Sequence, residues 1–376
     1  MNFGFDEDQK SLAHTVAQQL ADFPSLIAPE LTTAANDEVW RALTDLGLFA
    51  LLVPERNDGV GLTMVDLALA VEALGAGLAP PLVVSTLLAT DAIMRHGSDP
   101  QQRALLPRVA IGELKIAIAL LEADSGYDVR TCRTTLTDES LHGEKILVAG
   151  AADADLLLVV ASGNNGPVVV LVEPGAAGVT VQAHDDLDPT SGHCAIRFDR
   201  VKLDGDAVLG QAAPARAVER LLDVGATLYA GQLMGIAARM LDAAVDYAKT
   251  RVQFGQPIGA FQAIKHRCAD MAVAVEAGRS AAYYAFWAVS HDAPDRARAA
   301  SMAKAYCGDV GRHVCNETIQ VHGGMGFTWE LGLHRFLRRS KVIEHAFGDA
   351  AWHNERIVAE TLAEMTGADD RNQNAA

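Results

Sequence analysis

The most specific sequence patterns in this chain are two stretches, RVQFGQPIGAFQAIKHRCADM (251–271) and IQVHGGMGFTWE (319–330). Each follows a long run of helical periodicity and interrupts it with turn residues. Taken singly, each has a structural interpretation, because Arg251 at a helix end complements the helix dipole and the pair Gly323 and Gly324 ends a helix. The two stretches become informative through their joint spacing and through the blocks of sequence around them.

The chain divides into three blocks by the period of its apolar residues. In residues 1–114 apolar positions recur at spacings of three and four, which predicts a helical N-terminal domain. In residues 115–212 short apolar runs alternate with turn residues, which predicts a middle β-domain of six or seven antiparallel strands, a small barrel or sandwich. Helical periodicity returns in residues 213–376, which predicts a C-terminal four-helix bundle. Its last helix is expected over 341–363, followed by a frayed tail, 365–376, that lacks apolar anchors.

The composition argues against several classes of function. The 376 residues carry 31 Lys and Arg against 48 Asp and Glu, a formal net charge of −17, which disfavours nucleic acid or anionic lipid as the main partner. The first residues show no signal-peptide pattern, and no window reaches about 18 uninterrupted apolar residues. Five widely spaced cysteines without a CxxC pair are typical of reduced thiols. We therefore expect a cytoplasmic protein without membrane insertion.

The order of the blocks also disfavours a doubly wound nucleotide-binding fold. Strands and helices do not alternate along the chain, and neither a GxGxxG nor a GxxxxGKS/T motif precedes a helix. If a nucleotide cofactor binds, a Rossmann-type cradle does not hold it.

The motifs R-x-x-F-G-x-x-I-x-x-x-Q and Q-x-x-G-G-x-G-F, in this order of blocks, resemble the acyl-CoA dehydrogenases over residues 5–364. In that family FAD lies at a subunit interface, against the β-domain of one subunit, and the neighbouring subunit supplies both motifs. The resemblance implies that this chain grips a flavin with Arg251, Phe254, Gln262, Gln320, Gly323 and Gly324. An arginine offers a bidentate fork to a pyrophosphate, and adjacent glycines let the backbone approach the dinucleotide closely.

The resemblance implies FAD-dependent α,β-dehydrogenation of an acyl-CoA thioester, with electrons passed on to an electron-transferring flavoprotein. This chemistry needs a carboxylate that removes the α-proton while the β-hydride passes to the flavin. The commonest position of that base, counted from Gln320, holds Phe347. A second position used by some members, counted from Arg251, holds Gly225. Neither residue can take a proton, so no catalytic base stands at the usual positions.

The middle domain also departs from the family's pattern where it would contact its own flavin. A T-E-P-x-x-G-S-D-like loop reads LEADSGYDV, with Leu121 in place of the Thr and Tyr127 in place of the Ser. A W-I-T run reads Leu147, Val148 and Ala149. Polar and aromatic flavin contacts thus become aliphatic, which weakens the case for FAD on this chain's own β-domain.

The departures from the family's pattern affect only the residues that would serve this chain's own flavin site. The residues that would serve a neighbour's flavin are intact, whereas those for this chain's own flavin and base are largely gone. The pattern is similar to the base-lacking subunit of bacterial α2β2 acyl-CoA dehydrogenases, whose known members act on CoA thioesters of sterol side chains. We therefore expect a subunit that completes the flavin site of a homologous partner in a heterotetramer. Two alternatives stay open: an active homotetramer with a displaced base at Asp349, Glu344 or Asp223, and a non-enzymatic scaffold of the same fold.

The segment LRRSKVIEHAFGDAAWH (337–353) raises the further alternative of a metal site. His345, Asp349 and His353, at i, i+4 and i+8, would share one face of a helix. No HExxH motif or second ligand cluster accompanies them, and Gly348 interrupts the pattern. We expect a polar or interface helix face here, and no metal.

Overall fold

The computed structural model describes residues 4–27 and 33–373. The chain packs as two compact units, residues 1–222 and 223–376.

The described part of the first unit opens with five α-helices, which confirms the helical N-terminal block. They are α1 (Glu7–Ala21), α2 (Thr33–Asp45), α3 (Met64–Ala76), α4 (Pro81–His96) and α5 (Asp99–Ala110). Capping boxes begin α1, α3 and α5, at Asp6, Thr63 and Ser98, and satisfy the backbone N–H groups that a helix start leaves free. α4 is buried without interruption from Leu82 to Ile93, so it is the central helix of this part of the unit.

Strands follow the helices and form one mixed sheet within the described residues. They are β1 (Ile116–Ala119), β2 (Thr135–Thr137), β3 (Ser140–Val148), β4 (Leu156–Gly163), β5 (Gly166–Val172), β6 (Val179–Ala183), β7 (Cys194–Lys202) and β8 (Val208–Leu209). Their order is β6-β7-β3-β2-β4-β5-β8, with β1 also paired to β4. The prediction that all strands are antiparallel was wrong, because β1 and β2 run parallel to β4. The long connection between β1 and β4, which contains the β2–β3 hairpin, permits that crossover.

The second unit is a helical bundle. Its elements are α6 (Pro214–Thr250), which begins in the first unit, the hairpin β9 (Val252–Gln253) and β10 (Gln256–Pro257), α7 (Gln262–Ser290), α8 (Arg296–His322), α9 (Leu333–His345) and α10 (Ala350–Gln373). The long helices α6, α7, α8 and α10 correspond to the predicted four-helix bundle. α8 packs against α7, α9 and α10, which places it at the centre of the bundle.

The helix predicted over 341–363 is in fact two helices, α9 and α10. The chain breaks where Phe347 and Gly348 adopt positive φ angles of 58° and 105°, because a left-handed residue cannot continue an α-helix. This break lies at the position where the family's base is expected.

α10 continues to Gln373, into the segment 365–376 for which the sequence predicts a frayed tail, and the fraying stays a prediction. The segment from residue 365 onward contains no proline, the residue that most strongly disfavours a helix. Residues 374–376 lie outside the described residues.

Of the helices in the described chain, α6 alone is long and apolar enough to cross a membrane by length and composition. Its most apolar window is 94% buried inside the protein, as expected for the core helix of a folded bundle.

Candidate functional site

The first motif forms a short hairpin directly after α6. β9 and β10 are joined by Phe254 and Gly255, with φ angles of 52° and 79°, which is the pattern of a type I′ turn. A bulky residue with positive φ is strained, yet the Phe254 side chain is 91% exposed. Its ring meets the edge of Phe261, with the ring centroids 6.1 Å apart. A strained and exposed aromatic ring at a hairpin tip contributes little to the core and is available to a ligand or a partner chain.

Arg251 and Gln262 flank this hairpin with fixed backbones and exposed side chains. The Arg251 N–H donates to the carbonyl of Tyr247 over 2.8 Å, and its carbonyl accepts from the N–H of Ile258, also over 2.8 Å. Gln262 is the first residue of α7. Both side chains lie at the surface of this chain, so the guanidinium and the amide are presented outward from rigid elements.

The second motif ends α8. Gly323 has φ 59° and ψ −135°, a combination essentially restricted to glycine. A Cβ atom built on Gly323 or Gly324 would meet no atom within 4 Å, so the backbone here is open on its outer side. Gln320, in the last turn of α8, is exposed. Open backbone of this kind fits the close approach of a phosphate group.

The structure brings the two motifs to the same end of the bundle. Tyr247, one turn before Arg251, stacks on His322 with ring centroids 4.3 Å apart. His322 Nδ1 lies 2.8 Å from the carbonyl oxygen of Thr318, and the Thr318 hydroxyl donates to the carbonyl of Met240 on α6 over 3.0 Å. His322 is therefore a packing residue that ties the end of α8 to the end of α6.

We call the exposed surface formed by both motifs the motif surface. It consists of the six residues implied by the resemblance: Arg251, Phe254, Gln262, Gln320, Gly323 and Gly324. Three large apolar side chains beside it, Met325, Phe327 and Trp329, are also exposed. Clustered exposed apolar side chains mark an interaction site, so the motif surface is suited to contact with a cofactor and a second chain.

The two positions expected for the base meet in the structure, although they were counted from different motifs. The Phe347 ring is buried and stacks on Tyr229, with the ring centroids 5.3 Å apart. A Cβ atom built on Gly225 would lie 2.3 Å from Cδ1 of Phe347. Their proximity is what the resemblance implies, since a carboxylate at either position would have to reach the same α-proton of the substrate. Neither residue found there is ionisable.

Two buried basic side chains hold the backbone around Phe347. Lys304 Nζ donates to the carbonyls of Glu344 and Gly348 over 2.7 and 2.9 Å, and His353 Nε2 lies 3.0 Å from the carbonyl oxygen of Phe347. Burial lowers the pKa of Lys304 to about 7. Burial, with the nearby Lys304 charge, lowers the pKa of His353 to about 3, so this imidazole is neutral at pH 7 and donates from Nε2.

The fallback base Asp349 has a structural role. Its Oδ1 accepts from the backbone N–H of Trp352 over 2.9 Å, which makes it the N-cap of α10. The helix break also separates His345, on α9, from Asp349 and His353, so the expectation that these three share one helix face was wrong. No group of three or more His, Cys, Asp or Glu residues able to hold a metal occurs in the described part of the chain.

The other two candidate carboxylates are both engaged in ion pairs. Glu344 Oε1 lies 2.9 Å from Arg312 Nε. Asp223 is fully buried between Arg296 and Arg356, at 2.7 and 2.5 Å. A buried carboxylate held by two guanidinium groups is poorly placed to accept a substrate proton.

The middle domain presents aliphatic side chains where the resemblance expects flavin contacts. Leu147 is exposed and has a φ of 51°, at an irregular point of the β3–β7 pairing, whereas Val148 is buried. Leu121 is half-buried. None of these three side chains can donate or accept a hydrogen bond, so they do not fit the polar edge of a flavin.

The same domain contains a buried ion pair that was not predicted from the sequence. Lys145 Nζ lies 2.6 Å from Glu122 Oε1, and both side chains are buried. Burial alone would raise the pKa of Glu122, but hydrogen bonds from Lys145, the backbone N–H of Arg133 and the Cys132 thiol hold it well below its usual range. Strand alternation gave a signal, because Lys145 shares the buried face of β3 with Leu141.

Comparison with known proteins agrees with the fold and with the motifs. Models of the N-terminal, middle and C-terminal domains of acyl-CoA dehydrogenases match residues 6–113, 117–201 and 215–362. The short-chain specific acyl-CoA dehydrogenase of Megasphaera elsdenii is 30% identical over 92% of this chain and 92% of its own length. The probable acyl-CoA dehydrogenase YngJ of Bacillus subtilis is 29% identical over 95% and 98%.

Solved structures give the same result. A chain of the ChsE4-ChsE5 complex from Mycobacterium tuberculosis superposes with a TM-score of 0.87 at 26% identity, covering 96% of this chain and 99% of that one. The Tcur3481-Tcur3483 steroid ACAD superposes with a TM-score of 0.87 at 29% identity and the same coverage. Since family models match all three domains and relatives match nearly the whole length, the chain belongs to the acyl-CoA dehydrogenases, the FAD-dependent oxidoreductases that act on acyl-CoA.

Proposed function

We propose that this chain is the base-lacking subunit of a heterotetrameric acyl-CoA dehydrogenase and completes the flavin site of a homologous partner. The observation that carries the proposal is the contact between Phe347 and Gly225. Both positions of the family's base hold residues that cannot ionise, and the three nearby carboxylates are engaged elsewhere.

The motif surface is the part that this chain contributes to catalysis. FAD, when bound, supplies the hydride acceptor for dehydrogenation of the acyl-CoA. Arg251 would hold the pyrophosphate with its guanidinium group, a local positive charge in a chain of net charge −17. The open backbone at Gly323 and Gly324 would let the dinucleotide approach, and Phe254 would exclude water from the cofactor. Gln262 and Gln320 would provide amide groups that orient it.

The partner subunit supplies the remaining functions. Its β-domain would carry the flavin, and its carboxylate would remove the α-proton of the thioester. An electron-transferring flavoprotein would be the electron acceptor. The names of the ChsE4-ChsE5 complex and of the Tcur3481-Tcur3483 steroid ACAD each join two proteins. A complex of two different chains is the assembly expected for a chain that retains only the residues serving a neighbour's flavin. We propose CoA thioesters of sterol side chains as the substrate class.

The cytoplasm is the proposed compartment. The five cysteines, all within the described residues, form no disulfide bond with one another, which fits a reducing environment.

An active homotetramer with Asp349 as displaced base is the second candidate. It is disfavoured because the Asp349 carboxylate caps α10. A non-enzymatic scaffold is disfavoured because such a protein has no use for an exposed Arg251 or for the strained Phe254.

Coexpression with a homologous partner subunit tests the proposal. The purified complex should bind FAD and oxidise an acyl-CoA, and Arg251→Gln in this chain should remove most of the flavin. Arg239→Gln is the matched control, because Arg239 is a second exposed arginine, within α6, and the substitution removes the same charge. A complex that keeps full flavin content and turnover with Arg251→Gln contradicts the proposal.

A further inference from the structure

The Phe347 ring occupies the space that any side chain at position 225 would need. A Cβ atom on Gly225 would lie 2.3 Å from Cδ1 and 2.4 Å from Cε1 of that ring, far inside van der Waals contact. Tyr229, one turn further along α6, stacks on the same ring. One aromatic side chain therefore fills the place of both family base positions.

The backbone around Phe347 is fixed from both sides. The carbonyls of Glu344, Phe347 and Gly348 each accept a hydrogen bond from Lys304 or His353. Phe347 itself has a φ of 58°, which a phenylalanine adopts only where its surroundings impose it. A strained backbone and hydrogen bonds from two buried basic side chains thus hold this ring against Gly225.

We infer that Phe347 is a plug that closes this chain's own acyl seat, the space between Phe347, Gly225 and Tyr229, and that Lys304 and His353 hold the plug in place. The inference rests on the proposed function, because only the family resemblance makes this space an acyl seat. The plug excludes the acyl chain of a CoA thioester from this half of the heterotetramer. Substrate then binds only where the partner supplies a base, and no thioester is lost to a site that cannot react.

The test uses the isolated full-length chain and butyryl-CoA as the probe. Phe347→Ala should open the seat, so that butyryl-CoA raises the thermal midpoint of the variant and leaves that of the wild type unchanged. The Kd of Phe347→Ala for butyryl-CoA should be roughly tenfold or more below that of the wild type, because burying two methylene groups is worth about that factor. Free CoA should give no such shift. Phe336→Ala is the control, since Phe336 is another buried phenylalanine, on α9, that does not face Gly225.

Two results overturn the plug: an equal shift of the wild type with butyryl-CoA, or a folded Phe347→Ala chain that shows no shift beyond that of Phe336→Ala. If Phe347→Ala does not fold, Phe347→Leu serves instead, because it removes the ring while keeping an apolar side chain. Flavin content of the wild-type complex is measured in parallel. A complex without flavin refutes the proposed function, whereas a flavin-containing complex beside an unresponsive Phe347→Ala refutes the plug alone.

Discussion

Gly225→Ala gives opposite effects on stability depending on whether Phe347 is present. Gly225 lies within α6, where alanine is favoured over glycine by about 1 kcal/mol through helix propensity alone. The added Cβ would lie 2.3 Å from Cδ1 of Phe347, and forcing an extra group into a packed core costs about 1–3 kcal/mol. The substitution should therefore lower the free energy of unfolding of the wild type by about 0–2 kcal/mol.

The same substitution should stabilise a chain that lacks the ring. In a Phe347→Ala background the overlap disappears, and Gly225→Ala should raise the free energy of unfolding by about 1 kcal/mol. The coupling energy between the two sites is then about 1–3 kcal/mol, above the roughly 0.3–0.5 kcal/mol scatter of independent sites. Phe347→Ala alone should lower the free energy of unfolding by about 3–5 kcal/mol.

Urea unfolding followed by tryptophan fluorescence measures this double-mutant cycle. Three of the four tryptophans, Trp287, Trp329 and Trp352, belong to the second unit, and equal m-values would show that the variants unfold alike. Gly278→Ala is the control, because a Cβ at Gly278 would meet the flexible Met234 side chain, and its effect should add to that of Phe347→Ala. Equal effects of Gly225→Ala in both backgrounds would show that the Phe347 ring does not exclude a side chain at position 225.

Three further predictions follow from side chains near the base position and in the β-domain. Asp349→Ala should lower the free energy of unfolding by about 1 kcal/mol, whereas Asp349→Asn, also a good N-cap, should not; loss of turnover in the Asn variant of the complex would instead identify a displaced base. The folded pKa of His353 is about 3 against 6.5 for the ordinary group, so the unfolded chain binds more protons between these values. Stability should fall as pH drops from 6.5 towards 3, and His353→Gln should flatten that slope; identical urea midpoints against pH in both proteins would contradict this. Lys145→Met leaves the Glu122 carboxylate buried and unpaired, which should cost about 3–5 kcal/mol in urea unfolding. Adding Glu122→Gln should recover part of that loss, and no recovery would count against the pair.

The block order and the two motifs could be predicted from the sequence because both depend on local patterns. Helical and strand periodicities separate the α-helical ends from the β-domain, and a glycine such as Gly323 signals a helix end. Strand direction has a weaker signal, since β1 and β4 are continuous apolar runs buried on both faces, and such runs occur in parallel strands and in the core strands of a sandwich alike. The parallel pairing was therefore missed.

The contacts around the base position also could not be predicted from local sequence patterns. Phe347 could be located by counting from a motif, but Lys304 and His353 could not be connected to it. Their partners are backbone carbonyls, which every residue carries, and only tertiary packing selects which carbonyl a buried side chain meets. Likewise, Gly225 and Phe347 are distant in sequence, and only the packing of α6 against the α9–α10 break shows that one excludes a side chain at the other.

The flavin content of the chain, purified alone and then with its homologous partner, distinguishes a base-lacking subunit from a self-sufficient enzyme. We expect a colourless chain that does not oxidise acyl-CoA alone, and a yellow, active complex whose flavin depends on Arg251. Stoichiometric FAD with acyl-CoA turnover in the isolated homo-oligomer would contradict this expectation.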